Sequence, residues 1–322
     1  MMSIIYLIFG LVLLAVSGDA LVRGAISAAQ RMHIPTIITG LTIVAFGTSA
    51  PELIVSIEAA LNNAHGLAIG NVIGSNIANT LLVLGVPAII ATFALKADGI
   101  RRSTVFLIAV SLVFILFLSD GLVSRFDGLI LFTLLIIYLT YSGIMATRAR
   151  KETLREISNG EIVADDGDEP PLTMPWLLGF LAFGIIGLGI GGKLTITGAL
   201  GVANMFGVAD TVVGLSIVAL GTSLPELAAS VSAALRKQAG MMVGNVLGSS
   251  VFNILGIIGI TAMLMPLSVP MSIISLDMWI MLGVFLLLLP IVFFTRKLNR
   301  IEGSIMVIAY LIYMGLVFTN TA

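Results

Sequence analysis

The chain has 322 residues, of which 58% are hydrophobic and 10% charged, with a mean hydropathy of +1.14 and a net charge of −1. An ordinary soluble domain is excluded, because roughly 25% of the residues of such a domain are charged. The chain contains no cysteine, which excludes disulfides and thiolate metal sites.

Apolar runs recur along the whole chain. A helix needs roughly 20 apolar residues to cross about 30 Å of hydrocarbon. The runs are continuous and lack the alternation of a membrane barrel, so helices are predicted. We predict ten membrane-spanning helices, at 3–22, 35–61, 67–92, 103–119, 127–146, 174–199, 209–235, 241–264, 275–294 and 302–319.

The basic residues predict how these helices are oriented. With the N-terminus outside, the inward-facing connections carry thirteen Lys and Arg residues, whereas the outward-facing ones carry only Arg125. Basic residues are concentrated in cytoplasmic loops. We therefore expect a multi-pass protein of the cell membrane with both termini extracytoplasmic. Arg23 and Lys193 lie within or at the ends of spans, where we expect them to extend toward the membrane surface.

Two long segments repeat at a constant offset of 174 residues. The segment "GLTIVAFGTSAPELIVSIEAAL" from Gly40 matches "GLSIVALGTSLPELAASVSAAL" from Gly214 at fifteen of twenty-two positions. The offset continues into "GNVIGSNIANTLLVLG" from Gly70 and "GNVLGSSVFNILGIIG" from Gly244, where eight of sixteen positions match.

Each copy holds five predicted spans, and an odd number makes the second copy enter the membrane from the opposite side. Such inverted pairs are typical of secondary transporters, whose substrate site lies near the midplane between the repeats. We predict an all-α polytopic membrane protein with ten transmembrane helices as two inverted five-helix repeats, at 1–147 and 173–322, joined by a cytoplasmic linker at 148–172.

Each repeat has a proline inside an apolar run. Pro51 has no N–H and its ring clashes with the preceding turn, so the helix should bend or break and free the carbonyl of Gly47. Pro225 should do the same to Gly221. Broken helices at membrane depth are tolerated where they line a polar cavity.

Polar residues near these prolines share helix faces. Thr48 and Glu52 are four residues apart, as are Ser75 and Asn79 in the next span. With their equivalents, the predicted side-chain ligands are Thr48, Ser49, Glu52, Ser75, Asn79, Thr222, Ser223, Glu226, Ser249 and Asn253. This set offers only oxygen, which suits hard cations, and its two carboxylates fit calcium better than magnesium. Asn71 and Asn245 extend the same faces, where we expect them to support the ligands or pack.

A purely structural interpretation explains part of this pattern. Ser, Thr and Asn commonly link membrane helices, and "GNVIG" and "GNVLG" allow close helix packing without a ligand. Glu52 and Glu226 differ, because a charge near the bilayer centre costs several kcal/mol and neither motif holds a Lys or Arg to pair with it. An acid at both equivalent positions indicates that a cation is the missing partner.

The two "GTSxPE" segments with their "GNxxGSxxxN" partners resemble the alpha-repeats of the cation/calcium antiporter superfamily, specifically its prokaryotic-type sodium/calcium exchangers. The resemblance implies four cation sites around Glu52 and Glu226, and it suggests the backbone carbonyls of Ala45 and Ala219 as further metal ligands. It also implies that calcium and sodium compete for these sites while spans 1 and 6 slide across the bundle. Some relatives have an acid where this chain has Asn253, so we do not expect potassium co-transport.

We therefore expect an antiporter, not an enzyme, that exchanges Na⁺ for Ca²⁺ by alternating access. Exchange of more than two sodium ions for each calcium would make it electrogenic. We expect a monomer in the lipid bilayer with no cofactor and no nucleic-acid partner. A proton/calcium or other cation exchanger, in which the two glutamates are protonated, remains an alternative. A channel and an intramembrane enzyme are disfavoured, the latter because the chain has no H-E-x-x-H motif and no cysteine nucleophile.

Overall fold

The computed structural model describes residues 2–95, 98–158, 170–205, 220–295 and 297–321. Almost all of these residues are helical. The α-helices are α1 Met2–Met32, α2 Thr36–Thr39, α3 Ala45–Thr48, α4 Ala50–Leu61, α5 His65–Ala78, α6 Gly85–Ile90, α7 Asp98–Leu118, α8 Arg125–Ser158, α9 Met174–Met205, α10 Leu224–Leu235, α11 Ala239–Phe252, α12 Gly259–Leu264, α13 Met278–Pro290 and α14 Arg300–Thr321.

Wider π-helical turns and very short strands complete the described structure. The π-helical turns are Gly40–Val44, Asn79–Val83, Asn253–Ile258, Ile273–Asp277 and Ile291–Thr295. The strands are β1 Phe93–Ala94, β2 Leu122–Val123, β3 Leu267–Ser268 and β4 Lys297–Leu298. They form two antiparallel pairs, β1 with β4 and β2 with β3, so each pair joins the two halves of the chain.

The described ranges contain eight helices that are long and apolar enough to cross a membrane. A ninth candidate is the bent pair Thr36–Thr48 and Ala50–Leu61, whose axes differ by 44°. The predicted polytopic helical fold is confirmed. The described residues contain eight or nine candidate spans, and the count of ten stays a prediction. Within the seventh predicted span, α10 has 12 residues and 209–219 lie outside the described residues.

Helix α8 is longer than the fifth predicted span. It has 34 residues and ends at Ser158, so the first part of the predicted linker continues this helix. Lys151, Glu152 and Leu154 all favour helix, and residues 147–158 contain no Gly or Pro. The rest of the predicted linker, up to residue 169, lies outside the described residues.

The two halves have matching boundaries at the offset of 174 residues. Helices α4, α5, α6 and α10, α11, α12 begin and end at equivalent positions, and so do β1 and β3. The residues before α4 and α10 adopt the same backbone conformation, with φ −84° and ψ 6° at Ser49 and φ −84° and ψ 0° at Ser223. Left-handed residues also recur, at Asn63 with φ 60° and Lys237 with φ 58°.

Helix α1 packs along α9, and the two helices run in opposite directions. Leu7 of α1 contacts Gly198 of α9, whereas Leu21 contacts Gly184. A Cβ added at Gly184 would lie 2.6 Å from the Leu21 Cβ, so the glycine permits the close approach of these helices. The other face of α1 exposes large apolar side chains such as Phe9, as expected for contact with lipid.

The helices that contain the two "GNxxG" motifs are the most buried of the candidate spans. Helix α11 packs against α2 and the π-helical turn Gly40–Val44. A Cβ added at Gly244 would lie 2.5 Å from the carbonyl oxygen of Ile37 and 3.0 Å from the backbone nitrogen of Leu41. Around its equivalent in the first half, Gly70, nothing lies within 4 Å of an added Cβ.

This difference predicts unequal effects of the same substitution at equivalent positions. Gly244→Ala should lower the unfolding temperature of the purified protein by several degrees, because backbone atoms cannot easily move aside and overpacking costs about 1–3 kcal/mol. Gly70→Ala, the matched control, should leave that temperature nearly unchanged. Thermal unfolding in detergent measures both, and equal shifts would contradict the packing described for α11.

Candidate cation-binding site

A break in the helix before each glutamate places Glu52 and Glu226 in equivalent surroundings in the two halves. Ser49 precedes α4 and Ser223 precedes α10, and each helix has proline in its first turn. Proline is tolerated there because the first N–H groups of a helix have no intrahelical acceptor. Glu52 and Glu226 therefore lie in the first turns of α4 and α10, where the helix dipole favours a negative charge.

Side chains from the two halves meet at these breaks. The Ser49 hydroxyl donates a hydrogen bond to Glu226 Oε1 at 2.9 Å. On one side, the Thr48 Oγ1 lies 3.5 Å from the Ser249 Oγ. On the other, the Ser75 Oγ lies 3.4 Å from the Thr222 Oγ1. Every side chain in these contacts is buried.

The backbone carbonyl of Ala45 lies beside the hydroxyl groups of Thr48 and Ser249. Its oxygen is 3.3 Å from the Thr48 Oγ1 and 3.5 Å from the Ser249 Oγ, so two predicted ligands and a predicted backbone ligand are neighbours. Ala219, the predicted equivalent in the second half, lies outside the described residues.

Two asparagines hold the glutamate-bearing helices against the next span. The Asn71 Nδ2 donates to the Glu52 carbonyl at 3.3 Å, and its Oδ1 accepts from the Thr222 hydroxyl at 3.3 Å. The Asn245 Nδ2 donates to the Glu226 carbonyl at 3.4 Å, and its Oδ1 accepts from the Thr48 hydroxyl at 3.3 Å. These asparagines therefore position both the glutamate backbones and the threonine hydroxyls.

Two serines in this network were missed by the sequence analysis. Ser56 accepts a hydrogen bond from Asn71 at 3.0 Å, and Ser230 accepts one from Asn245 at 3.1 Å. Each lies four residues after a glutamate, and the two are equivalent at the offset of 174. Their signal was present in the repeat, since both are polar residues on the glutamate face of an apolar helix.

Asn79 and Asn253 begin equivalent π-helical turns but differ in their surroundings. The Asn253 Nδ2 donates to Asn76 Oδ1 at 3.2 Å, which leaves its own Oδ1 without a partner among the described residues. At the position equivalent to Asn76 the second half has Ser250, and neither polar atom of Asn79 has a hydrogen-bond partner in the described ranges. The serine is too short to replace the longer amide.

Five buried carboxylate and amide oxygens at the candidate site have no hydrogen-bond partner among the residues that the structure describes. They are both carboxylate oxygens of Glu52, Oε2 of Glu226, and the amide oxygens of Asn79 and Asn253. Neither glutamate forms an ion pair with a described residue. An unsatisfied buried acceptor costs about 1–3 kcal/mol, and a charged one costs more, so the arrangement is suited to a cation.

The types of atom at the candidate site favour a hard cation over a transition metal. No group of three or more His, Cys, Asp or Glu residues that could hold a metal occurs in the described part of the chain. The candidate site instead combines two carboxylates with hydroxyl, amide and carbonyl oxygens, which are ligands of calcium and similar hard cations.

The chain is similar to known proteins over nearly its whole length. The family model "Sodium/calcium exchanger protein" matches residues 2–143 and 176–319. The chain is 35% identical to the "Putative antiporter CaxA" of Alkalimonas amylolytica over 99% of this chain and 100% of the relative. It is 29% identical to the "Sodium/calcium exchanger MaX1" of Methanosarcina acetivorans over 98% of both. A solved structure of the sodium-calcium exchanger NCX_Mj, soaked with Na⁺ and Ca²⁺, has a TM-score of 0.82 and 30% identity, with 98% of each chain covered.

Binding of calcium at the candidate cation-binding site should stabilise the folded protein. A ligand that binds only the folded state adds about 2.7 kcal/mol at one hundred times its dissociation constant, so calcium should raise the unfolding temperature. Glu52→Gln and Glu226→Gln should each remove most of this rise. Thermal unfolding with and without calcium measures it, with Glu152→Gln, an exposed acid at the end of α8, as the matched control. An unchanged rise in both site variants would contradict the assignment.

Proposed function

Because this chain belongs to the sodium/calcium exchanger protein family, we propose that it is a secondary antiporter that exchanges Na⁺ for Ca²⁺ across the cell membrane by alternating access. The family consists of transporters, not enzymes, and uses no cofactor. The observation that carries the proposal is the burial of two carboxylates, one from each half, without a basic partner among the described residues.

Charge compensation couples the two ions. One Ca²⁺ neutralises Glu52 and Glu226 together, whereas Na⁺ does so only in greater number. The two ions therefore exclude each other by sharing the same ligands and the same negative charge. A doubly negative empty site resists crossing the low-dielectric barrier, so one ion must be bound before the other can be exchanged.

The proposed ligands surround the two glutamates. Thr48, Ser49, Ser75, Thr222, Ser223 and Ser249 offer hydroxyl oxygens, Asn79 and Asn253 offer amide oxygens, and Ala45 and Ala219 offer carbonyls. The contact between Ser49 and Glu226 and the unpartnered amide oxygens of the asparagines support this assignment. Two neutral asparagines keep the site at two negative charges, so we propose that potassium is not co-transported.

The proposed architecture is ten membrane spans in two inverted five-helix repeats, with both termini extracytoplasmic and a cytoplasmic linker at 148–172. The element boundaries that recur at the 174-residue offset support the repeat, and the opposite directions of α1 and α9 support its inversion. Basic residues at the ends of helices, such as Arg31, Arg155 and Arg236, support the orientation. We propose that one chain is sufficient for transport, since both glutamates come from the same molecule.

Removal of either glutamate charge should stop calcium transport. In proteoliposomes loaded with sodium, the unaltered protein should take up radioactive calcium, while Glu52→Gln and Glu226→Gln should lower uptake by at least about tenfold, because one buried charge is worth more than about 1.4 kcal/mol. Glu152→Gln is the matched control. Near-normal uptake by either glutamate variant would rule out the proposed site.

The same vesicles separate the alternative counter-ions. Sodium, proton and potassium gradients are imposed one at a time, with the internal pH clamped in the sodium arm. Uptake driven by sodium alone supports the proposal. Uptake driven only by a proton gradient would identify the alternative, an exchanger in which the glutamates are protonated.

Exchange should also respond to membrane potential. If more than two Na⁺ leave for each Ca²⁺ that enters, net positive charge moves out, so an inside-positive potential should accelerate calcium uptake and an inside-negative one should slow it. Each elementary charge contributes about 2.3 kcal/mol per 100 mV. The potential is set by a potassium gradient with valinomycin, and the same gradient without valinomycin is the control. Rates that do not depend on the potential would show electroneutral exchange.

A further inference from the structure

A charged cluster outside the candidate cation-binding site joins α1 to the end of α10. Arg236, the residue after α10, donates to Asp19 Oδ1 through its Nη2 at 2.6 Å and its Nε at 2.8 Å. The Ser232 hydroxyl donates to the same oxygen at 3.2 Å. Arg23, which was expected to extend toward the membrane surface, instead lies with its Nε 3.0 Å from Asp19 Oδ2.

This cluster connects helices that belong to different halves. Asp19 lies in α1, the first helix of the first half, and Arg236 follows α10 in the second half. Helix α1 also packs against α10 over an extended contact. In the proposed orientation Arg236 lies on the cytoplasmic side, so the ion pair links α1 to the end of α10 on that side.

At the positions equivalent to Asp19 and its hydrogen-bond partner Ser232, the repeat places two residues of opposite charge, with the base on the first helix of its half. At the offset of 174, Asp19 corresponds to Lys193 in α9, and Ser232 corresponds to Glu58 in α4. In the first pair the acid is on the first helix of its half, whereas in the second pair the base is. Asn62 takes the position equivalent to Arg236 and carries no charge.

The second pair is open in this structure. Lys193 and Glu58 are both exposed, and neither forms an ion pair with a residue that the structure describes. Helices α9 and α4, both fully described, make almost no contact with each other, although the equivalent pair α1 and α10 is closely packed. Among the described residues, α1 is therefore packed against α10, whereas α9 and α4 lie apart.

We propose that these two pairs are alternating latches of the transport cycle. The Asp19–Arg236 ion pair holds the state described here, and a Lys193–Glu58 ion pair forms in the opposite state, after Asp19 has separated from Arg236. This inference rests on the proposed alternating-access exchange. If the two halves exchange conformations, α9 takes up against α4 the position that α1 now has against α10, so only one latch is closed at a time.

An ion pair of this strength is weak enough to form and break during a conformational cycle. Asp19 and Arg236 keep 42% and 22% of their side-chain surface exposed. Partly exposed ion pairs change an equilibrium by only a few-fold, because water screens the charges. Each pair therefore biases the protein toward one state without trapping it there.

A charge exchange tests the pair that is apart in this structure. Glu58→Lys and Lys193→Glu should each lower the rate of sodium-driven calcium uptake about two- to fivefold, the range expected for a partly exposed ion pair. The double variant Glu58→Lys with Lys193→Glu should recover most of the rate, because the attraction is restored with exchanged signs. Both single variants should keep the calcium-induced rise in unfolding temperature, which shows an intact cation site. Absence of rescue in the double variant would overturn the proposal.

Cross-linking tests the contact directly, since the chain has no native cysteine. In the double variant Lys193→Cys with Glu58→Cys, a short reducible thiol cross-linker should join the two residues and stop exchange until it is reduced. Asp19→Asn, which breaks the first latch, should increase the yield of this cross-link, and Lys193→Cys alone is the control. No cross-link even with Asp19→Asn would exclude the second latch. Unaltered protein that lacks sodium-driven uptake would instead refute the exchange function itself.

Discussion

The structure depends on two buried carboxylates for which the described residues provide no counter-charge. Glu52 and Glu226 are completely buried, and a lone charge in such surroundings costs several kcal/mol unless a cation or a proton compensates it. The surrounding features reduce this cost only in part. Each acid lies in the first turn of its own helix, Ser49 donates a hydrogen bond to Glu226, and asparagines hold the backbone carbonyls of both glutamates. The remaining uncompensated negative charge is what supports the proposal that a mobile ion binds between the two glutamates.

The same helix break, followed by a helix with proline and glutamate in its first turn, occurs once in each half. The differences between the two copies matter as much as the similarities. The backbone of the breaks and the asparagine bonds to the glutamate carbonyls are nearly identical in the two halves. The side chains around them are not, since Asn76 anchors Asn253 while Ser250 leaves Asn79 unanchored. Equivalent ligands thus differ in how firmly they are held, and the two amide oxygens need not bind ions equally. An identical pair of halves would lack this inequality.

The sequence predicted the polytopic helical fold and the residues that meet at the breaks, because both follow from short-range patterns. Hydropathy identifies the membrane spans. A proline inside an apolar helix indicates a helix break, and a glutamate beside it indicates a buried charge that is costly in free energy. The features it did not predict depend on neighbours far apart in the chain. The ion pair of Asp19 with Arg236 and the pairing of β1 with β4 join different halves, and no local periodicity encodes such contacts. The length of α8 was missed for another reason, since a polar helix resembles a linker when only hydropathy is considered.

The balance of forces in the molecule is consistent with transport instead of storage. A site that satisfied every ligand in one conformation would hold its ion and lower the energy of that conformation alone. Here the carboxylate oxygens of Glu52 and the amide oxygens of Asn79 and Asn253 have no partner among the described residues, while the ion pair that joins α1 to the end of α10 is partly exposed. In the proposed cycle both states share these ligands, so a bound ion would add stability at the centre and add little that favours one end over the other. A protein that works in this way would change state with its ion bound, since its conformational preference would be set by weak contacts distant from the ion.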